Sequence, residues 1–178
     1  MDEFEQFLKA KQMEAKLSNK VTVDMQMIVD HFIERVSTLF IFIEDILEPF
    51  IADKTIVIER RQRHIIEEDY GEYDVQELII DVSGDKVHLT PVGANIIGAV
   101  GRIDMRGPQK SAVMLLTREA GPQINTYISP HEAPQPEAIT LERLTAMEWQ
   151  FLERVPRSHY LEFSPDSFKQ MLMRVING

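Results

Sequence analysis

Cysteine is absent from the 178 residues, so disulfides, thiolate metal sites and cysteine nucleophiles are excluded. The absence suits a reducing compartment. Basic residues are in the minority, 19 Lys and Arg against 29 Asp and Glu, for a net charge of −10. Phosphate backbones repel such a surface, and nucleic acid is not an expected partner. The basic residues Arg60, Arg61, Arg63 and His64 cluster, but Glu59, Glu67, Glu68 and Asp69 surround them. That mixture reads as a solvated strand face. Long apolar runs are missing too. Val36 to Leu47 is interrupted by Ser37, Thr38, Glu44 and Asp45, and is too short and too charged to span a bilayer. The acidic start, Met1-Asp2-Glu3-Phe4-Glu5, lacks the basic end, apolar run and cleavage site of a secretory signal. The expectation is a cytoplasmic protein with no membrane partner.

What is present is an ordinary globular composition, 44% apolar and 27% charged. One domain over residues 1–178 is expected: a helical part at 1–48, a β-rich part at 54–154 and a C-terminal helix at 164–177. Residues 2 to 17 carry a thin apolar stripe of Phe4, Phe7, Leu8 and Leu17. The strongest pattern follows. Val29, Phe32, Val36, Leu39, Ile43, Ile46 and Phe50 recur at spacings of three and four, widened by Ile33, Phe40 and Leu47. Thr22 is the expected N-cap, Asp24 falls in the first turn, and Pro49 is expected to end the helix near Glu48.

Beyond Pro49 the apolar period shortens to that of strands. Thr55–Ile58 and His64–Ile66 read as strand segments and Tyr70–Tyr73 as an acidic connection. Leu78–Val82, the Ser83-Gly84-Asp85 turn and Lys86–Leu89 read as a hairpin. Ile96–Met105 is a strand broken by Gly98 and Gly101, and Ala112–Leu116 is a buried strand. Gln123–Ile128 is a weaker strand and proline-rich Ser129–Glu137 a loop. Leu144–Leu152 fits a strand with Met147, Trp149 and Phe151 on one face, though a helix also fits. Ser164, Pro165 and the Phe168, Met171, Leu172, Val175, Ile176 spacing mark a capped helix. The fold class is α+β, with N-terminal helices packed on a twisted antiparallel sheet of five to seven strands that could curl into a barrel.

Catalytic signatures do not emerge. Gly93, Gly98, Gly101 and Gly107 lack the Gly-Lys-Ser/Thr end of a phosphate loop and the spacing of a dinucleotide fingerprint. They read as bends and close backbone approaches. No cofactor is therefore expected. No Gly-x-Ser-x-Gly occurs, and the dense carboxylates Glu67, Glu68, Asp69, Glu72, Asp74 and Glu77 read as a solvated edge. The histidines at 31, 64, 88, 131 and 159 include no helical His-x-x-x-His pair. A metal site would have to be gathered from scattered residues, and none is assigned. Arg102, Asp104 and Arg106 alternate with Ile103 and Met105, so they share a strand face. They form either an ion-pair ladder or an anion-binding surface.

The segment Pro91-Val92-Gly93, Ile97-Gly98-Ala99-Val100-Gly101-Arg102-Ile103-Asp104-Met105 and Gly107-Pro108, followed by Trp149 and the C-terminal helix, resembles a group of small uncharacterised bacterial proteins. The resemblance covers the β-rich half and the last helix. It implies a fold and no activity.

A non-catalytic interaction or assembly protein acting as a homodimer is the functional expectation, with another protein as a further kind of partner. Its basis is the long helix, whose seam of Val36, Leu39, Phe40, Ile43, Ile46 and Phe50 is flanked by further apolar residues, Ile41 and Phe42, outside the stripe that covers one sheet. The alternative is a small-molecule binder or enzyme on the concave face of the sheet, with Arg102, Asp104, Trp149 and His88 as ligand contacts.

Overall fold

A computed structural model describes residues 3–18, 23–118, 139–153 and 158–178. In chain order they form helix α1 (Glu3–Ser18), helix α2 (Met25–Ala52) and strands β1 (Ile56–Glu67), β2 (Gly71–Val82), β3 (Asp85–Gly93), β4 (Arg102–Arg106) and β5 (Ser111–Thr117). The short helix α3 (Leu141–Thr145), strands β6 (Glu148–Glu153) and β7 (His159–Glu162), and helix α4 (Pro165–Asn177) complete the chain. The seven strands make one antiparallel sheet in chain order, each bonded to the next, so the sheet is an open meander and not a barrel. The fold is α+β. Gln123–Ile128 and Ser129–Glu137 lie outside the described residues.

Helix α2 owes its position to its apolar spacing. Phe32, Val36, Phe40 and Ile43 are fully buried, and Leu39 nearly so, against the sheet of the same chain. Removing a stripe of that width from water is the main force holding helix to sheet. Its start differs from the expected one. Asp24, not Thr22, is the cap, its carboxylate accepting from the Met27 amide at 2.8 Å. Its end differs as well: the helix runs through Pro49 to Ala52. Proline removes the single donor that would reach the Asp45 carbonyl, and that loss is tolerated so close to the terminus. Lys54, with φ of 63°, turns the chain out of the helix. Within the expected seam, Ile46 is half-buried and Phe50 is 42% exposed, because Leu47 is the last buried residue of α2.

Strand β1 unites the two segments read separately, and its hairpin with β2 is paired without a break from Ile56↔Val82 to Glu67↔Gly71. Tyr70–Tyr73 is therefore mostly strand rather than a connection. At the base of the hairpin the side chains that join the main core have even numbers (Ile56, Leu78, Ile80), while Ile79 is buried outside that core. At its tip they have odd numbers (Ile65, Tyr73, Val75). Only Leu78–Val82 of β2 pairs with β3, so residues 71–77 belong to a two-stranded ribbon. Such ribbons twist more than wide sheets. The twist turns the opposite face inward at the tip, and the alternation switches without a bulge.

The stretch 96–105 is not one strand. Gly98, with φ of 76°, sits in a connection, and β4 begins only at Arg102. The region around Leu144 is helix and strand in succession, α3 then β6. Helix α4 forms as its signals indicate. Ser164 and Ser167 close a capping box, and Phe168, Met171, Leu172 and Val175 are buried. It lies on the same face as α2, because the Phe163 ring stands between Phe42, Phe151 and Phe168 at 6.0, 5.9 and 5.7 Å. Helix α1 lies N-terminal to α2. Residues 4–11 are all exposed, with Phe4 at 63%, Phe7 at 55% and Leu8 at 46%.

Candidate functional site

On α2, Arg35, Thr38, Leu39 and Phe42 are spaced i, i+3, i+4, i+7 and form a flank beside the sheet-facing stripe. Facing them are Glu148 and Trp149 of β6, and Glu162 and Phe163 at the end of β7. Between the two sides lies a cleft of about 250 Å³. Its apolar floor is Leu39, Phe42, Trp149 and Phe163. Its rim carries one guanidinium and two carboxylates.

The cleft is rigidly built at one end. The Trp149 indole donates to the Arg35 carbonyl at 3.2 Å, and its ring lies 6.4 Å from that of Phe32. The Arg35 guanidinium donates to Glu148. Thr38 returns its hydroxyl to the Glu34 carbonyl at 2.9 Å. One turn before Arg35, half-buried His31 has an Nε2 shut off from solvent, without a hydrogen-bond partner among the described residues. Burial pushes its pKa down, and the neighbouring Arg35 charge adds to the effect. A neutral imidazole is the form this environment favours.

Of the four residues proposed as ligand contacts, the structure brings three near one another and separates the fourth. Arg102 and Asp104 alternate with the fully buried Ile103 and Met105, so they point away from the helices. His88 pairs with Arg106 across β3 and β4 on that same outer face. Trp149 faces the helices. No single pocket can use all four. On the outer face Asp104 receives Arg102 at 2.7 Å and Arg106 at 3.4 Å, with the Asp104 side chain only 14% exposed. Both guanidiniums are turned onto a carboxylate of their own strand, which is the ion-pair ladder. Thr90, opposite Asp104, donates to Glu77 at 3.2 Å.

Gly93, Gly101 and Gly107 stand where a side chain would meet a close neighbour. A Cβ on Gly101 would lie 2.4 Å from the Phe32 ring, so helix and loop meet there only because the side chain is missing.

A second polar cluster closes the hairpin tip. Glu67 accepts from the Ala94 amide at 3.0 Å and from the Asn95 amide at 2.8 Å, and the Tyr73 hydroxyl donates to the same carboxylate. Burial, and then the Glu67 carboxylate, push the Tyr73 phenol far above its ordinary range. The cluster acts as a clasp between the hairpin tip and the connection after β3. Exposed His64 bonds Asp74 at 2.8 Å, which raises its pKa. Among the described residues no three His, Asp or Glu side chains converge as metal ligands would.

Sequence reasoning missed Arg35, Thr38, Glu148, Glu162 and Phe163 as a group. The only legible signal was Phe42, apolar yet outside the sheet-facing stripe. No protein-family model matches the sequence, and no curated protein or solved structure matches it significantly.

Proposed function

We propose that this chain is a non-catalytic interaction protein that assembles as a homodimer. The observation that carries the proposal is the apolar surface left uncovered on both long helices: Phe4, Phe7 and Leu8 on α1, and Ile41 at 51% and Phe42 at 44% exposure on α2. The buried seam itself is not that surface, since Val36, Leu39, Phe40 and Ile43 are covered by their own sheet. What asks for a partner is the layer outside it. Large apolar side chains gathered on helices facing water mark association sites more often than chance. The alternative, a small-molecule binder on the sheet, has less behind it. Arg102 and Arg106 are both engaged by Asp104, and Trp149 lies on the other face.

Light scattering across a dilution series tests the reading. The expected result is a mass of two 20.6 kDa chains at micromolar concentration, falling toward one chain on dilution. A single-chain mass at every concentration would remove it.

A further inference from the structure

We propose that His31 is the proton sensor of a latch between α2 and the α3–β6 segment, closed near neutral pH and opened in mild acid. The latch stands apart from the homodimer reading. His31 lies one turn before Arg35 on α2, half-buried, and its Nε2 is shut off from solvent with no hydrogen-bond partner among the described residues. A neutral ring leaves a single uncharged group unsatisfied there. Protonation puts a hydrogen on both ring nitrogens, so the same atom becomes a charged donor with nothing to donate to. Burying an unpaired charge costs far more than burying an unpaired neutral group. The imidazolium regains its hydration only if the contact around it parts.

The groups facing the ring set the consequence. Burial and then the Arg35 charge oppose a proton, and exposed Glu34 on the same helix favours one. The Leu144 backbone of α3 and Glu148 of β6 favour it too, and α3 also carries Glu142 and Arg143. Glu148 is already held by the Arg35 guanidinium, so a charged His31 sets two cations against one carboxylate. Beside that pair the Arg35 carbonyl accepts the Trp149 indole N–H at 3.2 Å, and Leu144, 1% exposed, seats α3 in the core. His31, Arg35, Glu148 and Trp149 form one joint, and a proton on His31 strains all of it. Arg35, Glu148 and Trp149 also line the cleft, so opening the joint changes the shape of its wall. The contacts of the joint lie outside the ladder that pairs β5 with β6, and the sheet survives its opening.

Trp149 is the only tryptophan of the chain, so its emission reads this joint alone. Titration of the wild-type protein from pH 7.5 to 5.0 should give red-shifted emission and roughly twofold stronger acrylamide quenching, with a midpoint below 6.5, while far-UV circular dichroism stays constant. His31→Gln should abolish the transition, and His64→Gln, which alters an exposed histidine on β1, should leave it in place. Wild-type emission that does not change, a His31→Gln chain that keeps the transition, or a transition that coincides with loss of the circular dichroism would each overturn the proposal. A second measurement needs no variant. In NMR spectra of the wild-type protein the His31 ring and the Trp149 indole N–H should titrate with one shared midpoint. Separate midpoints would overturn the latch even if His31→Gln did not fold.

Discussion

Glu67 and Tyr73, opposite ends of one hairpin tip, converge on the amide of Ala94: the carboxylate accepts from it at 3.0 Å and the phenol oxygen at 3.1 Å. The hydroxyl in turn donates to Glu67. The clasp holds the twisted end of β1–β2 to the connection that follows β3. Glu67→Ala leaves the Asn95 amide and the Tyr73 hydroxyl without their acceptor and should cost about 1–3 kcal/mol, whereas Tyr73→Phe removes one hydroxyl and should cost about 0.5–1.5 kcal/mol. Urea unfolding measures both. The reverse order would mean that the phenol, not the carboxylate, organises the tip.

The same phenol sets a limit in alkali. Its pKa is raised above the ordinary 10.0, so the unfolded chain ionises first and folding loses stability as pH climbs through that value. Tyr73→Phe should flatten the decline between pH 9 and 11 relative to wild type. An unchanged slope would exclude Tyr73 as its source.

Gly101 should tolerate no side chain. Its Cβ would strike the Phe32 ring, and overpacking of this kind costs typically 1–3 kcal/mol. Gly101→Val should therefore destabilise strongly, and Phe32→Leu should recover part of the loss in the double variant. A double variant as unstable as the sum of its parts would show that the two positions do not compete for space.

Within α2, depth decides cost. Leu39, at 4% exposure, should lose about 2–5 kcal/mol on change to alanine. Phe50, at 42%, should lose far less despite being the larger residue. Equal losses in thermal unfolding would place Phe50 in a contact the single chain does not contain, and would support a partner there.

His31 gives the acid side a sign. Its folded pKa lies below 6.5, so the unfolded state takes up the proton first and stability falls as pH drops through that value. His64, held charged by Asp74, works in the opposite direction: its contribution is present below 6.5 and is lost as pH rises through its folded value. Relative to wild type, His31→Gln should therefore gain stability as pH falls from 7.5 to 5.5, and His64→Gln should lose it. Parallel curves for His31→Gln and wild type would mean that folding leaves the affinity of His31 for its proton unchanged.

Much of the architecture was legible in the chain because it depends on neighbours a few residues away. The spacing of Phe32, Val36, Phe40 and Ile43 specifies an amphipathic helix, Ser164 and Pro165 start the last one, and the Ser83–Asp85 turn pins a hairpin. Local chemistry also explains the misplaced boundaries: an aspartate two residues past Thr22 caps equally well, and a proline in a last turn forfeits only one bond. What no local pattern held was decided by tertiary geometry. The twist of a ribbon chose Tyr73 and Val75 for burial over the neighbours that simple alternation would select. The pleat set Trp149 on the face opposite Arg102 and Asp104, dividing a site that composition alone had joined. The cleft exists because Arg35 and Glu148, distant in sequence, meet where α2 crosses β6. Such pairings follow from how whole layers stack, which the spacing of side chains along one segment does not encode.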